Sequence, residues 1–180
     1  GVLPARAVEV PLPGLVGGYE GSSVHAPDFG HPDQRTMALT LPDHITAIDQ
    51  VELVLAMTWT PGELVCDFDE PTYEPWSPPL SLFLTSDAFP GDFFVATVET
   101  PDGAGEGRAT LESCCPAGAL PDDALLGAHL TATLFIDGAI IGICAVTVDT
   151  HGTVADAWLE VTGVVTTEAT TWSQVKGLYR

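Results

Sequence analysis

The sequence predicts an all-β protein, a two-layer antiparallel β-sandwich of jelly-roll-like form with roughly nine or ten strands. Three observations carry that prediction. Apolar and polar residues alternate with a period of two in one segment after another, which is the pattern of half-buried strands. Turn dipeptides punctuate those segments: Pro61-Gly62, Asp137-Gly138 and His151-Gly152. Thr, Val, Gly and Pro are abundant while strong helix formers are scarce, a bias toward pleated strands and tight turns. With 180 residues, 46% of them hydrophobic, the chain can bury one substantial core.

Taken in order, Val8, Val10 and Leu12 alternate with Ala7, Glu9 and Pro11. Met37, Leu39 and Leu41 alternate with Thr36, Ala38 and Thr40. The longest run is Val51, Leu53, Leu55, Met57 and Trp59, closed by Pro61-Gly62. Leu64-Val65-Cys66 leads into an acidic, proline-rich loop from Asp67 to Pro79, and Leu80, Leu82 and Leu84 resume the alternation. Phe93 to Glu99 is apolar on both faces and therefore reads as a central strand. Arg108 to Leu111 is a short strand, and Pro121 to Leu126, with proline and acids at its start, is the one helical turn expected. Ala128 to Ile136 and Ala139 to Asp149 flank Asp137-Gly138, a strong hairpin signal. Val154 to Thr162 and Val164-Val165 complete the series. The chain thus divides into an N-terminal extended segment (1–13, a candidate donor or edge strand), a sandwich domain (14–166) and a C-terminal tail (167–180).

Charge narrows the function. Five Lys and Arg face 25 Asp and Glu, a formal net charge of −20. Such a surface repels phosphate backbones and anionic headgroups, so neither nucleic acid nor a membrane surface is an expected partner. No apolar run is long enough to span a bilayer. Copies this acidic must neutralise or separate their charge before they pack together. The four cysteines, Cys66, Cys114, Cys115 and Cys144, contain no C-x-x-C spacing, which argues against zinc and dithiol redox sites. An even count in an acidic chain points to disulfides and a secreted, extracellular or cell-surface location. Cys114 and Cys115 project to opposite sides of an extended backbone, so Cys66 and Cys144 are the expected partners, in either pairing. The opening Gly1-Val2-Leu3-Pro4 reads as a processed end, and the absence of Asn excludes N-glycosylation.

No nucleophile elbow, zinc-protease helix, P-loop or dinucleotide fingerprint occurs, so the expectation is a non-enzymatic protein with no required cofactor. Two loops hold metal-ligand types. His25, Asp28 and His31 gather imidazoles and carboxylate within a short stretch. Asp67, Asp69 and Glu70 supply hard oxygens suited to calcium, without the glycine and spacing of an EF-hand. The competing and favoured reading of each is a solvated turn. Tyr73 and Trp76, backed by Asp69 and Glu74, form a candidate glycan platform, or else aromatics that pin their loop to the core.

The two ends suggest assembly. Val2, Leu3, Val8, Val10 and Leu12 form an apolar, proline-punctuated segment, and proline confines such a strand to an edge. The tail carries Trp172, Lys176, Leu178 and Tyr179, and with Arg180 holds two of the five cations. It is expected to dock on the chain's own core or on an acidic neighbour. Four stretches resemble uncharacterised exported β-sandwich proteins of GC-rich bacteria: Leu12-Pro13-Gly14-Leu15-Val16-Gly17, Trp59 to Cys66, Leu134 to Gly138, and the ending Thr171-Trp172-Ser173-Gln174-Val175-Lys176-Gly177-Leu178-Tyr179-Arg180. The resemblance implies export and a sandwich fold and transfers no catalytic residue. The function expected is an extracellular structural subunit, of a filament or cell-surface layer, whose Val2 to Leu12 segment adds as a strand to the next copy. On that expectation, removing residues 1–12 abolishes polymers and leaves the domain folded. The alternative is a carbohydrate-binding sandwich module using the loop aromatics.

Overall fold

The computed structural model describes residues 5–21, 33–66, 72–89, 91, 93–114, 122–137, 145–147 and 150–166. At 21, 64–66, 72–74, 76, 123 and 145–147 the description is of the backbone. The strands are β1 (Arg6–Pro11), β2 (Gly17–Gly21), β3 (Gln34–Leu39), β4 (Ile45–Thr60), β5 (Gly62–Cys66), β6 (Thr72–Trp76), β7 (Leu80–Ser86), β8 (Phe93–Val98), β9 (Gly103–Thr110), β10 (Glu112–Ser113), β11 (Leu130–Ile136), β12 (Ala145–Thr147) and β13 (Thr150–Val165). A 3-10 turn (Pro13–Leu15) separates β1 from β2, and a single helical turn, α1 (Asp122–Leu125), precedes β11.

Two five-stranded sheets form the sandwich. Sheet I runs β1-β13-β4-β9, with β2 also on β13; sheet II runs β10-β8-β7-β11-β3. A small third sheet, β12-β5-β6, is built from the β4–β7 and β11–β13 connections. Leaving aside the short strands, β1 pairs β13, β3 pairs β11, β4 pairs β9 and β7 pairs β8, all antiparallel. First with last, second with next to last and so inward is the nested pairing of a jelly roll, which folds a long double hairpin into two facing layers. β1 and β2 are two halves of one broken edge strand: Arg6 to Pro11 lie against Gly163 to Trp158, and Gly17 to Gly21 against Val154 to Thr150.

The period-two pattern sends one side chain in two into the space between the layers. Val10, Leu12, Val51, Leu53, Leu55, Met57, Trp59, Leu159 and Val161 enter from sheet I. Leu80, Leu82, Leu84, Phe94, Ala96, Leu130, Ala132 and Leu134 enter from sheet II. Among the described residues Trp59 is the largest fully buried side chain, and its indole N–H donates to Thr150 Oγ1 at 2.8 Å. Only glycine fits opposite it: a Cβ on Gly152 would overlap the Trp59 ring and stand 2.7 Å from the Thr58 carbonyl oxygen.

The open edge between β2 and β3 is closed by Tyr19 and Arg35. The Tyr19 hydroxyl donates to the Leu15 carbonyl at 2.6 Å, and the Arg35 guanidinium lies 5.4 Å from the ring centroid while donating to the Gly18 carbonyl. Burial holds the Tyr19 phenol well above its usual pKa; Arg35 pulls it down and Asp33 raises it further, both more weakly. The folded state therefore binds a proton that the unfolded chain releases near pH 10. Stability is fully present below that value and is expected to fall by about 1.4 kcal/mol per pH unit as pH rises above it. Urea melts between about pH 9 and 11 on wild type and Tyr19→Phe check this. A slope in this range that is unchanged in the variant would exclude Tyr19 as its origin.

Several expectations are corrected. Residues 72–76 are not part of one long loop: they form β6, hydrogen-bonded to β5 from Gly62↔Trp76 to Cys66↔Thr72. Asp137-Gly138 does not join a hairpin of the predicted strands, because β11 pairs β7 and β3 while β12 pairs β5. β8 does lie between two neighbours, β10 and β7, but its faces differ: Phe94, Ala96 and Val98 point into the core, whereas Phe93 and Thr97 are exposed. Apart from these corrections, β1 lies in the single chain at the edge of sheet I, with Val10 and Leu12 in its core.

Candidate functional site: a neutral aromatic face

The two outer faces of the sandwich differ in character. On sheet I, Glu9, Glu160 and Glu52 stand directly opposite one another on β1, β13 and β4. Like charges in register are unfavourable, and Arg108 on β9 offsets them. Its Nε donates to Glu106 at 3.0 Å, and its NH1 reaches Glu160 at 3.3 Å and Glu52 at 3.8 Å. The Glu106 hydrogen bond is the main reason that the Arg108 pKa is raised above its ordinary value. The side chain is exposed, so its effect is local and screened by salt.

Sheet II presents the opposite surface. Its outward residues form three cross-strand rows. Ala38, Thr131, Thr85 and Phe93 make the first; Thr36, Thr133, Phe83, Val95 and Glu112 the second; Gln34, Phe135, Ser81 and Thr97 the third. All but Glu112, at the rim, are uncharged, in a chain of net charge −20. Phe93, Phe83 and Phe135 occupy one position in each successive row, so they run as a diagonal stripe across β8, β7 and β11. The Phe83 ring lies 5.3 Å from Phe93 and 4.9 Å from Phe135, tilted by 60° and 55°. Phe83 and Phe93 remain 38% and 36% exposed despite these contacts.

The hydroxyls around the stripe satisfy one another. Thr36 and Thr133 share a hydrogen bond of 3.0 Å, and Ser81 bonds both Thr97 at 2.8 Å and Asp137 at 2.9 Å. The result is a flat surface whose polar groups are largely paired internally and whose apolar rings are open. Beside it, where β10 stops after two residues, a cavity of about 450 Å³ opens between β8 and β9.

Most residues singled out from the sequence lie elsewhere. Val8, Val10 and Leu12 belong to the sheet I edge and the core. Cys114 is exposed at the end of β10 and lines the cavity, while Cys115 and Cys144 lie outside the described residues and Cys66 is described only as β5 backbone. Tyr73, Glu74 and Trp76 are described only as β6 backbone. Val2, Leu3, His25, Asp28, His31, Asp67, Asp69, Glu70, Trp172, Lys176, Leu178 and Tyr179 lie outside the described residues.

The alternation of the strands does not by itself single out the stripe. Its signal is nonetheless present in Leu82-Phe83-Leu84 and Phe93-Phe94-Val95, where aromatics interrupt the polar side of the pattern. Compared with known protein families and with characterised proteins, the chain matches none. Among the described residues, no helix is long and apolar enough to cross a membrane.

Proposed function

We propose that this chain is a non-enzymatic, extracellular structural subunit that associates with copies of itself face to face through sheet II. The observation that carries the reading is the neutral Phe83–Phe93–Phe135 face on a chain of net charge −20. Two copies meeting through sheet I would oppose rows of glutamates. Two copies meeting through sheet II bring rings and methyl groups together and leave their carboxylates apart. Sheets stack about 10 Å apart when their faces interdigitate, so the stripe of one copy can pack beside that of the other. A two-fold contact of this kind is self-complementary and places Phe83, in the middle row, near the axis.

The ring geometry favours a protein partner over a sugar here. The three rings pack against one another at steep tilts, which leaves no coplanar platform for successive pyranose rings. Strand addition by residues 2–12 fits less well, because β1 would first have to leave its own sheet and uncover Val10 and Leu12.

Magnitudes set the expected strength. The face measures roughly 24 Å across its strands and 20 Å along them. That is below the ~800 Å² per partner of a standard stable interface. Covering the exposed third of Phe83 and of Phe93 contributes about 0.5–1 kcal/mol per ring, and the less exposed Phe135 adds less. An association cost of at least ~4 kcal/mol offsets most of this gain, so a single contact is weak and dimers form only at high protein concentration. Repulsion between the acidic bodies is screened by salt, so association should strengthen as salt rises. Sedimentation velocity over a concentration series is expected to show dimers of wild type that increase with salt and are lost in Phe83→Asp. A wild type that stays monomeric at high salt, or a Phe83→Asp protein that associates equally, would overturn the reading.

A further inference from the structure

The edge of a sheet is a row of backbone N–H and C=O groups open to a further strand, and proteins commonly blunt it. Of the four edges of sheets I and II, three are blunted. β1 runs into Pro11, and Pro13 follows. β10 is two residues long. On β3, Arg35 reaches across to the Gly18 carbonyl and the Tyr19 ring. β9 has none of these devices. It runs eight residues without a proline, and among the described residues its one strand neighbour is β4. Ala104, Glu106, Arg108 and Thr110 are all exposed.

The phase of the ladder decides which groups face outward. The Leu111 N–H donates to the Val51 carbonyl at 2.8 Å, so Val51 and Leu111 form a hydrogen-bonded pair. Counting back in an unbroken register, Ala109, Gly107, Gly105 and Gly103 also bond β4. The residues between them, Ala104, Glu106, Arg108 and Thr110, therefore turn their N–H and C=O groups to the open side.

An occupant must be an extended strand that pairs with those four residues. Charge identifies it. The row holds one acid and one base, Glu106 and Arg108, with side chains 49% and 44% exposed, and is neutral in a chain of −20. A second β9, laid antiparallel about a two-fold axis at Gly107, sets Glu106 of each copy opposite Arg108 of the other. Ala104 of each then lies opposite Thr110. All four bond outward, so this register satisfies the ladder as well as the charges. Sliding the partner by two residues would oppose Glu106 to Glu106 in one direction and Arg108 to Arg108 in the other, which like charge disfavours. We infer that β9 pairs edge to edge with β9 of a second copy in this register, joining their sheets I into one. The glutamates of the two outer faces then lie side by side and do not confront one another. The contact uses no residue of the sheet II face. It covers one strand edge and is the weaker of the two. One consequence does rest on the sheet II reading: a copy making both contacts has two neighbours, as an open filament requires.

The test is amide hydrogen exchange of the full chain, read residue by residue by NMR at protein concentrations of about 0.05 mM and about 2 mM. At the higher concentration the amides of Ala104, Glu106, Arg108 and Thr110 should exchange about tenfold more slowly. Those of Gly105, Gly107 and Ala109, already bonded to β4, should not change, and in each variant they report that β9 is still in place. Glu106→Arg and Arg108→Glu should each lose the slowing, because each sets like charges opposite one another. Mixing the two variants should restore it. Phe83→Asp removes the sheet II contact and should keep the slowing at the higher concentration, so the two contacts fail separately. The inference is overturned if the four amides exchange alike at both concentrations, or if Glu106→Arg slows as wild type does. A mixture that behaves as its separate components do, with β9 in place in both, would also overturn it.

Discussion

A chain that begins at Pro13 is expected to lose most of its folding stability. The truncation removes β1, whose six residues pair with Gly163 to Trp158 along β13. It also takes Leu12, fully buried, and Val10, 6% exposed, out of the core. Losing a buried leucine side chain costs about 2–5 kcal/mol, and burial of a valine contributes about 1.5–3 kcal/mol. Together these approach the ~5–15 kcal/mol that separates folded from unfolded states in ordinary domains. The truncation further exposes the β13 edge, a long unpaired template that invites aggregation. Urea unfolding and limited proteolysis of the truncated chain check the prediction. A truncated protein with a urea midpoint matching that of the full chain would show that β1 is dispensable, as the donor-strand expectation requires.

Trp59→Ala is expected to destabilise the protein by about 3–5 kcal/mol, the usual cost of truncating a buried large aromatic. Trp59 is 1% exposed and sits where β4, β13 and the start of β9 meet, with Gly152 directly across from it and Gly103 on its other side. Its neighbours cannot collapse into the space, because β4 and β13 are held in register from Thr60↔His151 to Met57↔Val154. Trp59→Phe separates the two contributions. It keeps an aromatic ring but removes the donor to Thr150, which retains only its own longer bond of 3.4 Å to the Thr60 carbonyl. That hydrogen bond alone should be worth about 1 kcal/mol. Unfolding followed by far-UV circular dichroism avoids the fluorescence change that the substitutions themselves cause. Equal losses in both variants would mean that the hydrogen bond, and not the volume, is what Trp59 provides.

The fold was largely legible because period-two alternation is a local property. Val51 to Trp59, Leu80 to Leu84 and Ala128 to Ile136 each announce a strand and its buried face without reference to any partner. Pairing is not local. Asp137-Gly138 has the residues of a tight hairpin, yet β11 ends in sheet II and β12 joins β5. Loop length misled in the same way at β6, where Tyr73-Glu74-Pro75-Trp76 contains a proline and two aromatics that suit a loop as well as an edge strand.

The candidate site was harder to read for a related reason. Phe93 and Val95 are apolar on the side of β8 that alternation assigns to solvent, and the economical reading of such a strand is burial on both faces. Phe93 is instead open, and its residue type has no means of saying so. What turns these positions into a site is register: Phe83 opposite Val95, Thr85 opposite Phe93 and Ser81 opposite Phe135 align three rings from separate strands into one stripe.

Residue type and a spacing of two were enough to establish the class of this protein, its acidity and the inner face of nearly every strand. The assembled sheets were needed to establish that β1 lies at the edge of the chain's own sheet and that Glu9, Glu52 and Glu160 meet on one outer face while Phe83, Phe93 and Phe135 meet on the other. They were needed, too, to reveal the cavity that opens where β10 stops. Those are consequences of antiparallel register between strands far apart in the chain, and register is set by the packing of the whole core.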